Sequence, residues 1–266
     1  MSAEPLVTPE FTRPRSLPSR ADAGPLDFPA LDREPGRLGR SLSSLTGEGH
    51  PVRTYVVGAL LSLAAIACLS ILAGLLVTRV LLHVHGVASD DEWLVDFLTR
   101  HRSPVLTDAS LVGSIMAGGV VLPIIAASVA LVAMPARHWR LAAFLGFALA
   151  VESGSYRATT LVIHRHRPPV HRLESLPVNA GYPSGHTAAS IAVYGGLALL
   201  LTSRVAHRGA RTLIWAIAVV IPMFVAFSRM YRGMHHPIDV LGGAIVGVAA
   251  LSALTLVARA SGRAAR

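Results

Sequence analysis

The chain has 266 residues, of which 52% are apolar and only 15% charged, and its formal net charge is +9. Soluble domains carry nearer a quarter charged residues, so this balance excludes an ordinary soluble domain and points to a membrane protein. The positive charge does not indicate nucleic-acid binding: all 24 basic residues are Arg, and they sit mostly in the N-terminal stretch and between apolar runs, where membrane topology wants them.

Residues 1–53 hold eight of the 17 prolines, and seven Arg balance seven acidic residues there. No helical periodicity is visible, so the expectation is a disordered cytoplasmic tail over 1–53. It does not read as a cleaved signal peptide, because the first apolar run starts only near Tyr55 and is too long for one. Six apolar segments follow, at 55–78, 109–134, 140–163, 186–203, 212–230 and 238–258. Each is of the order of 20 residues, enough to cross a hydrocarbon core about 30 Å thick. The runs are continuous rather than alternating, which favours helices over barrel strands. The expected fold is therefore all-α, an integral-membrane helical bundle with about six transmembrane helices. Its domain spans 54–258, with a short basic tail at 259–266. The single cysteine, Cys68, lies in the first run and rules out an intrachain disulfide or a cysteine-based zinc site.

Between the first two segments, Trp93, Leu94, Phe97 and Leu98 recur at helical spacing beside Asp90, Asp91, Glu92 and Asp96. This pattern predicts an amphipathic helix at the membrane interface. Arginines at 53, 137, 140, 204, 208, 211, 259, 263 and 266 flank one side of the segments, so the positive-inside rule puts both termini in the cytoplasm. The loops 164–185 and 229–237 then face outward.

Three polar clusters fall on that outward side: His164 to Pro169, Tyr182 to Thr187, and Ser228-Arg229 with His235 and Asp239. Arg167 and Arg229 offer planar forks of donors that suit phosphate oxygens. Ser184-Gly185-His186 stands where a helix begins, so free amides and the positive end of the helix dipole would meet an anion. Gly185 lets that anion come close to the backbone. His235 and Asp239 are four residues apart, on one helical face, and an aspartate so placed can hold one imidazole nitrogen protonated while the other attacks. His186 can protonate a leaving alkoxide.

Together these residues resemble the signature of the type 2 phosphatidic acid phosphatases (PAP2), Lys-x6-Arg-Pro, Pro-Ser-Gly-His and Ser-Arg-x5-His-x3-Asp. Here the parts are Arg167-Pro168, Pro183-Ser184-Gly185-His186, and Ser228-Arg229 with His235 and Asp239. The resemblance covers about 55–258 and includes the core shared with soluble acid phosphatases and vanadate-dependent haloperoxidases. It implies a metal-independent lipid phosphate phosphatase without cofactors, embedded in the bilayer. His235 would be the nucleophile and form a phosphohistidine, Asp239 would orient it, and His186 would act as acid and then base. Arg167, Arg229, Ser184 and Gly185 would hold the phosphoryl oxygens. Substrates would be phosphatidic acid, lysophosphatidic acid, phosphatidylglycerol phosphate or a polyprenyl pyrophosphate.

One position departs from the family: Thr160 stands where its Lys is expected. Arg165 is the favoured extra phosphate contact, and Arg157, one turn before Thr160, is a candidate substitute for the lost cation. Glu152, a carboxyl inside an apolar segment, reads as structural, with a partner expected from Tyr156 or another segment. His164, His166, His171 and His186 lack the carboxylates or thiolates that would complete a metal site around them, Glu174 being the lone acid nearby. Two other functions stay open: a lipid-linked phosphotransferase of the same fold, and a non-catalytic membrane transporter or binding protein, for which Thr160 is the only argument.

Overall fold

The computed structural model describes residues 28–32, 36–46 and 49–264. Among these every regular element is helical: α1 (Pro29–Asp32), α2 (Arg37–Thr46), α3 (Pro51–Arg79), α4 (Val87–Arg100), α5 (Pro104–Met116), α6 (Val121–Ala133), α7 (Trp139–Val162), α8 (Gly185–Arg204), α9 (Arg208–Tyr231) and α10 (Pro237–Ala264), with one 3-10 turn at Leu81–His83. The six expected segments correspond to α3, the α5–α6 pair, α7, α8, α9 and α10. Four described stretches are long and apolar enough to cross a membrane: Pro51–His83, Gly185–Arg204, Arg208–Tyr231 and Pro237–Gly262. The pair α5–α6 is apolar enough only when taken together, as a broken span or a re-entrant loop bent by 41° where Gly118 and Gly119 interrupt the helix. α7 falls outside this group because its second half carries Glu152, Ser153, Tyr156, Arg157 and Thr160. It is the central helix, packed by α3, α6, α8 and α10, and its polar stretch faces the candidate site.

The main core lies between α3, α7, α8 and α10, around Phe144, Leu145, Ala148, Leu254 and Val257. Tyr55 closes it with edge-to-face contacts to Trp139 and Phe147, the ring centroids 5.5 and 5.3 Å away. α10 approaches α8 too closely for side chains. A Cβ on Gly243 would sit 2.3 Å from the Ser184 carbonyl oxygen, and one on Gly247 2.5 Å from that of Ala188. Small residues at such crossings let membrane helices meet backbone to backbone.

The expected disordered tail is corrected over its described part. Residues 1–27, 33–35 and 47–48 lie outside the described residues. The remainder forms α1 and α2, which dock on the end of the bundle opposite the site. Gly39, Leu42, Ser43 and Thr46 recur at three- and four-residue spacing and are buried, a short amphipathic pattern diluted by the surrounding prolines. Thr46 shares a 2.6 Å hydroxyl contact with Thr54, Asp32 pairs with Arg140 at 2.8 Å, and Arg259 donates to the Ala30 carbonyl at 2.9 Å. The expected C-terminal tail is corrected likewise, since α10 continues through Ala264.

The predicted amphipathic helix is α4, and its orientation is informative. Trp93 and Phe97 stack on each other on the exposed face, while Asp91 and Val95 turn inward. A buried aspartate on an interfacial helix requires partners, and these belong to the candidate site.

Candidate active site

The chain places His235 by two successive helix-end devices. α9 ends at Tyr231, and Gly233 takes a left-handed φ of 73°. The Met234 amide then donates to the Arg229 carbonyl and the Gly233 amide to that of Met230, both at 2.9 Å, which is the Schellman arrangement. Three residues later Pro237 opens α10, and the Asp239 carboxylate accepts from the His236 amide at 2.8 Å, the acidic half of a capping box. His235 is thus clamped in the short turn between two helices and is 2% exposed.

Its imidazole has a defined tautomer. Nδ1 lies 2.7 Å from the Gly181 carbonyl oxygen, which can only accept, so Nδ1 carries the proton. Nε2 faces Arg167 Nη1 at 3.2 Å, which can only donate, so Nε2 keeps its lone pair. Burial, then the charges of Arg167 and Arg229, hold the His235 imidazole well below its ordinary pKa, outweighing the opposite pull of the Gly181 hydrogen bond. It is a neutral base with its free nitrogen beside a guanidinium.

This corrects the expected pairing with Asp239. Asp239 Oδ2 is 3.9 Å from His235 Nδ1, beyond hydrogen-bond range. Its oxygens are occupied by the His236 amide, by His236 Nδ1 at 3.2 Å, and by Arg165. Gly181 supplies the carbonyl because its loop pairs with the segment holding the arginines. The Gly181 amide donates to Arg165 at 2.9 Å and the Arg167 amide to Val178 at 3.0 Å. A Cβ at Gly181 would sit 2.8 Å from the Arg165 carbonyl oxygen, so only glycine fits there.

Arg165 is the second correction. Its guanidinium is buried between two carboxylates, Asp91 of α4 and Asp239 of α10, and it does not line the cavity that holds His235. Asp91 also accepts from the Ile238 amide at 2.9 Å. One carboxylate from a distant helix and one from α10 itself therefore satisfy the first turn of α10, and Arg165 ties them together. Arg165 thus braces the start of α10 from outside that cavity.

Arg167 and Gly185 do share a cavity with His235. A cavity of about 610 Å³ is lined by Arg167, Gly185, His186 and His235, together with Tyr156, Arg157 and Thr160 of α7. Arg167 is oriented by the carbonyls of Pro177 at 2.9 Å and Met234 at 2.6 Å. Arg157 lines the cavity and is exposed, whereas the Thr160 hydroxyl turns back to the Arg157 carbonyl at 3.0 Å. Ser184 is fully buried beneath, its hydroxyl 3.0 Å from that of Thr187. The Ala188 amide is the first in α8 to close an intrahelical bond, to Ser184, so the preceding amides are left at the helix end.

Arg229 stands behind this wall, 0% exposed. Its Nη1 binds Glu174 at 2.8 and 2.9 Å, but Nε and Nη2 have no partner. Buried guanidinium donors of that kind suit an anion. Glu174 also takes Arg232 at 2.6 Å and Ser114 at 2.8 Å. Burial pushes the Glu174 carboxyl up, but Arg229 and the hydrogen bonds from Arg229, Ser114 and Arg232 outweigh it and bring it down to about 2. Among the described residues no three His, Cys, Asp or Glu side chains gather as a metal ion requires, so the histidines of 164–171 form no such group.

Sequence reasoning missed Gly181, Asp91 and the part played by Glu174. Asp91 carried one signal, its four-residue spacing to Val95 on the face away from Trp93 and Phe97. Gly181 carried none, because its contribution is a main-chain carbonyl.

Residues 138–263 match the family described as the PAP2 superfamily. An undecaprenyl-diphosphatase of Sulfolobus acidocaldarius is 32% identical over 108 residues, 39% of this chain and 47% of that protein, so the chain spans less than half of this relative's length. Phosphatidylglycerophosphatase B of Bacillus subtilis is 28% identical over 181 residues, 65% of this chain and 85% of that one. The crystal structure of a transmembrane PAP2 type phosphatidylglycerolphosphate phosphatase from Bacillus subtilis superposes with a TM-score of 0.59 at 23% identity, covering 74% of this chain and 92% of that one, a likeness of fold.

Proposed function

Because the chain belongs, over residues 138–263, to the PAP2 superfamily, we propose that it hydrolyses a lipid phosphate ester or diphosphate through a phosphohistidine, without a metal ion. The observation that carries this reading is the tautomer of His235, proton on Nδ1 and lone pair on Nε2, in a cavity shared with His186 and Arg167.

In the first step His235 Nε2 attacks phosphorus, and the bond from phosphorus to the leaving oxygen breaks, the alcohol oxygen of an ester or the bridging oxygen of a diphosphate. His186, placed at the first turn of α8 and protonated once the anionic phosphate lies beside it, gives its proton to the departing oxygen. The Nδ1 proton stays on the ring, held by Gly181, so the phosphorylated ring is an imidazolium whose charge that carbonyl stabilises. In the second step His186, now neutral, takes a proton from water as the water oxygen attacks phosphorus and the P–N bond breaks. Arg167, the free edge of Arg229 and the amides at the α8 N-terminus hold the equatorial oxygens, where charge is greatest. Arg157 supplies the cation missing at Thr160.

The arginines on the α1–α2 side support a cytoplasmic location for both termini and an outward-facing site. The lipid head group reaches the cavity while its chains stay in the bilayer.

The test is phosphate release from a panel of lipid phosphates by the purified protein in detergent, with and without EDTA. Activity that survives EDTA, disappears in His235→Ala and leaves an acid-labile phosphoprotein is expected. Undiminished activity in His235→Ala removes the mechanism.

A further inference from the structure

Resting on the phosphatase reading above, we propose that Glu152 forms a subsite for a free hydroxyl group on the alcohol of the lipid phosphate, next to the ester oxygen. Glu152 lies in the middle of α7 and is 1% exposed. One carboxyl oxygen accepts from the Ser153 hydroxyl at 3.0 Å, and the other, Oε1, has no partner. Among the described residues no other helix supplies the cation or donor expected for a carboxyl at that depth, although both intramembrane carboxyls and unsatisfied buried acceptors are costly. Glu152 nevertheless lines the same cavity as His186 and His235. An acceptor kept unpaired at the wall of a binding cavity is matched to something the ligand brings.

Its depth says which part of the ligand. Glu152, Tyr156 and Thr160 occupy successive turns of α7, about 6 Å apart along the axis. The Tyr156 ring packs at the start of α8, where a Cβ on Gly185 would lie 3.2 Å away, so it marks the level of the phosphate cradle. Glu152 is one turn deeper, and that turn matches the reach of an ester oxygen, two carbons and a hydrogen bond of about 2.8 Å. Deeper still the wall is apolar, formed by Leu122, Pro123 and Leu149, and suits the chain of a lipid. A diacylglycerol or polyprenyl alcohol has no hydroxyl to offer at this level. An alcohol with a hydroxyl on the neighbouring carbon does.

The experiment compares two substrates of one preparation: a 1-acylglycerol 3-phosphate with its free C2 hydroxyl, and the same compound with hydrogen in place of that hydroxyl. Wild type is expected to favour the hydroxyl compound in kcat/KM by about tenfold or more, because a site built to bond a hydroxyl rejects the analogue lacking it. Glu152→Ala is expected to bring the ratio near one, and Glu152→Gln, which keeps an acceptor oxygen, to retain most of it. The ratio is internal to each preparation, so a loss of folded protein cancels. A wild-type ratio near one, or a ratio unchanged in Glu152→Ala, overturns the inference. So does release from a polyprenyl diphosphate with neither member of the pair turned over, an outcome that leaves the phosphatase reading standing. No release from any lipid phosphate overturns both.

Discussion

Gly181 holds His235: its carbonyl oxygen lies 2.7 Å from Nδ1, whereas Asp239 Oδ2 stays at 3.9 Å. The acid that the spacing of four residues offered to the histidine is spent on the helix it begins. Main chain orients His235, and the carboxylates orient the main chain.

That division of labour separates Arg165 from Arg157. Arg165→Met leaves Asp91 and Asp239 facing each other without their cation, and losing one partner of a buried ionic group costs about 3–5 kcal/mol. Thermal unfolding in detergent should fall sharply for Arg165→Met. Arg157→Gln, at an exposed position, should change stability by less than about 0.5 kcal/mol and instead raise KM for the lipid phosphate. Normal stability with a raised KM in Arg165→Met would make it a phosphate contact after all.

His235 is expected to set the acid limb of the activity profile. Burial, then Arg167 and Arg229, disfavour its imidazolium, so the ring stays neutral at pH values where an ordinary histidine is protonated. The kcat/KM profile should keep its plateau below pH 6.5. Arg167→Gln removes one of the opposing charges and should move the acid limb to higher pH, read from the same profile.

Glu174 makes stability sensitive to acid. Its carboxyl is held at about 2 in the folded protein against 4.5 ordinarily, so the unfolded chain takes up its proton first. The stabilisation is complete above pH 4.5 and is lost as the pH falls toward 2. Glu174→Gln should be less stable than wild type at neutral pH, and the difference should narrow below pH 4.5 in unfolding measurements.

The crossing of α8 and α10 should tolerate nothing larger than glycine at position 243. Gly243→Ala brings a methyl group to 2.3 Å from the Ser184 carbonyl oxygen and pushes apart the two helices that carry His186 and Asp239. Overpacking of this kind costs about 1–3 kcal/mol, and phosphate release should fall with it. Gly146→Ala, with nothing within 4 Å, serves as the control and should be neutral or slightly stabilising.

The sequence by itself determined the membrane bundle and the gathering of three polar clusters at one end of it. Hydropathy runs and short motifs are local, and a span of apolar residues has few ways to satisfy its backbone in lipid. His235, His186, Arg167 and Gly185 were legible because their motifs place them at helix ends, where free amides and turns are set by neighbours in the chain. Tertiary structure alone decided what those residues touch. Asp91 meets Ile238 across 147 positions of sequence, and Gly181 reaches His235 across 54. No periodicity encodes such a separation, and a carbonyl oxygen has no residue type to betray it. The same holds for the tail: α2 shows its pattern only over Arg37–Thr46, and the packing of α3 and α10 against that one short face makes it a helix.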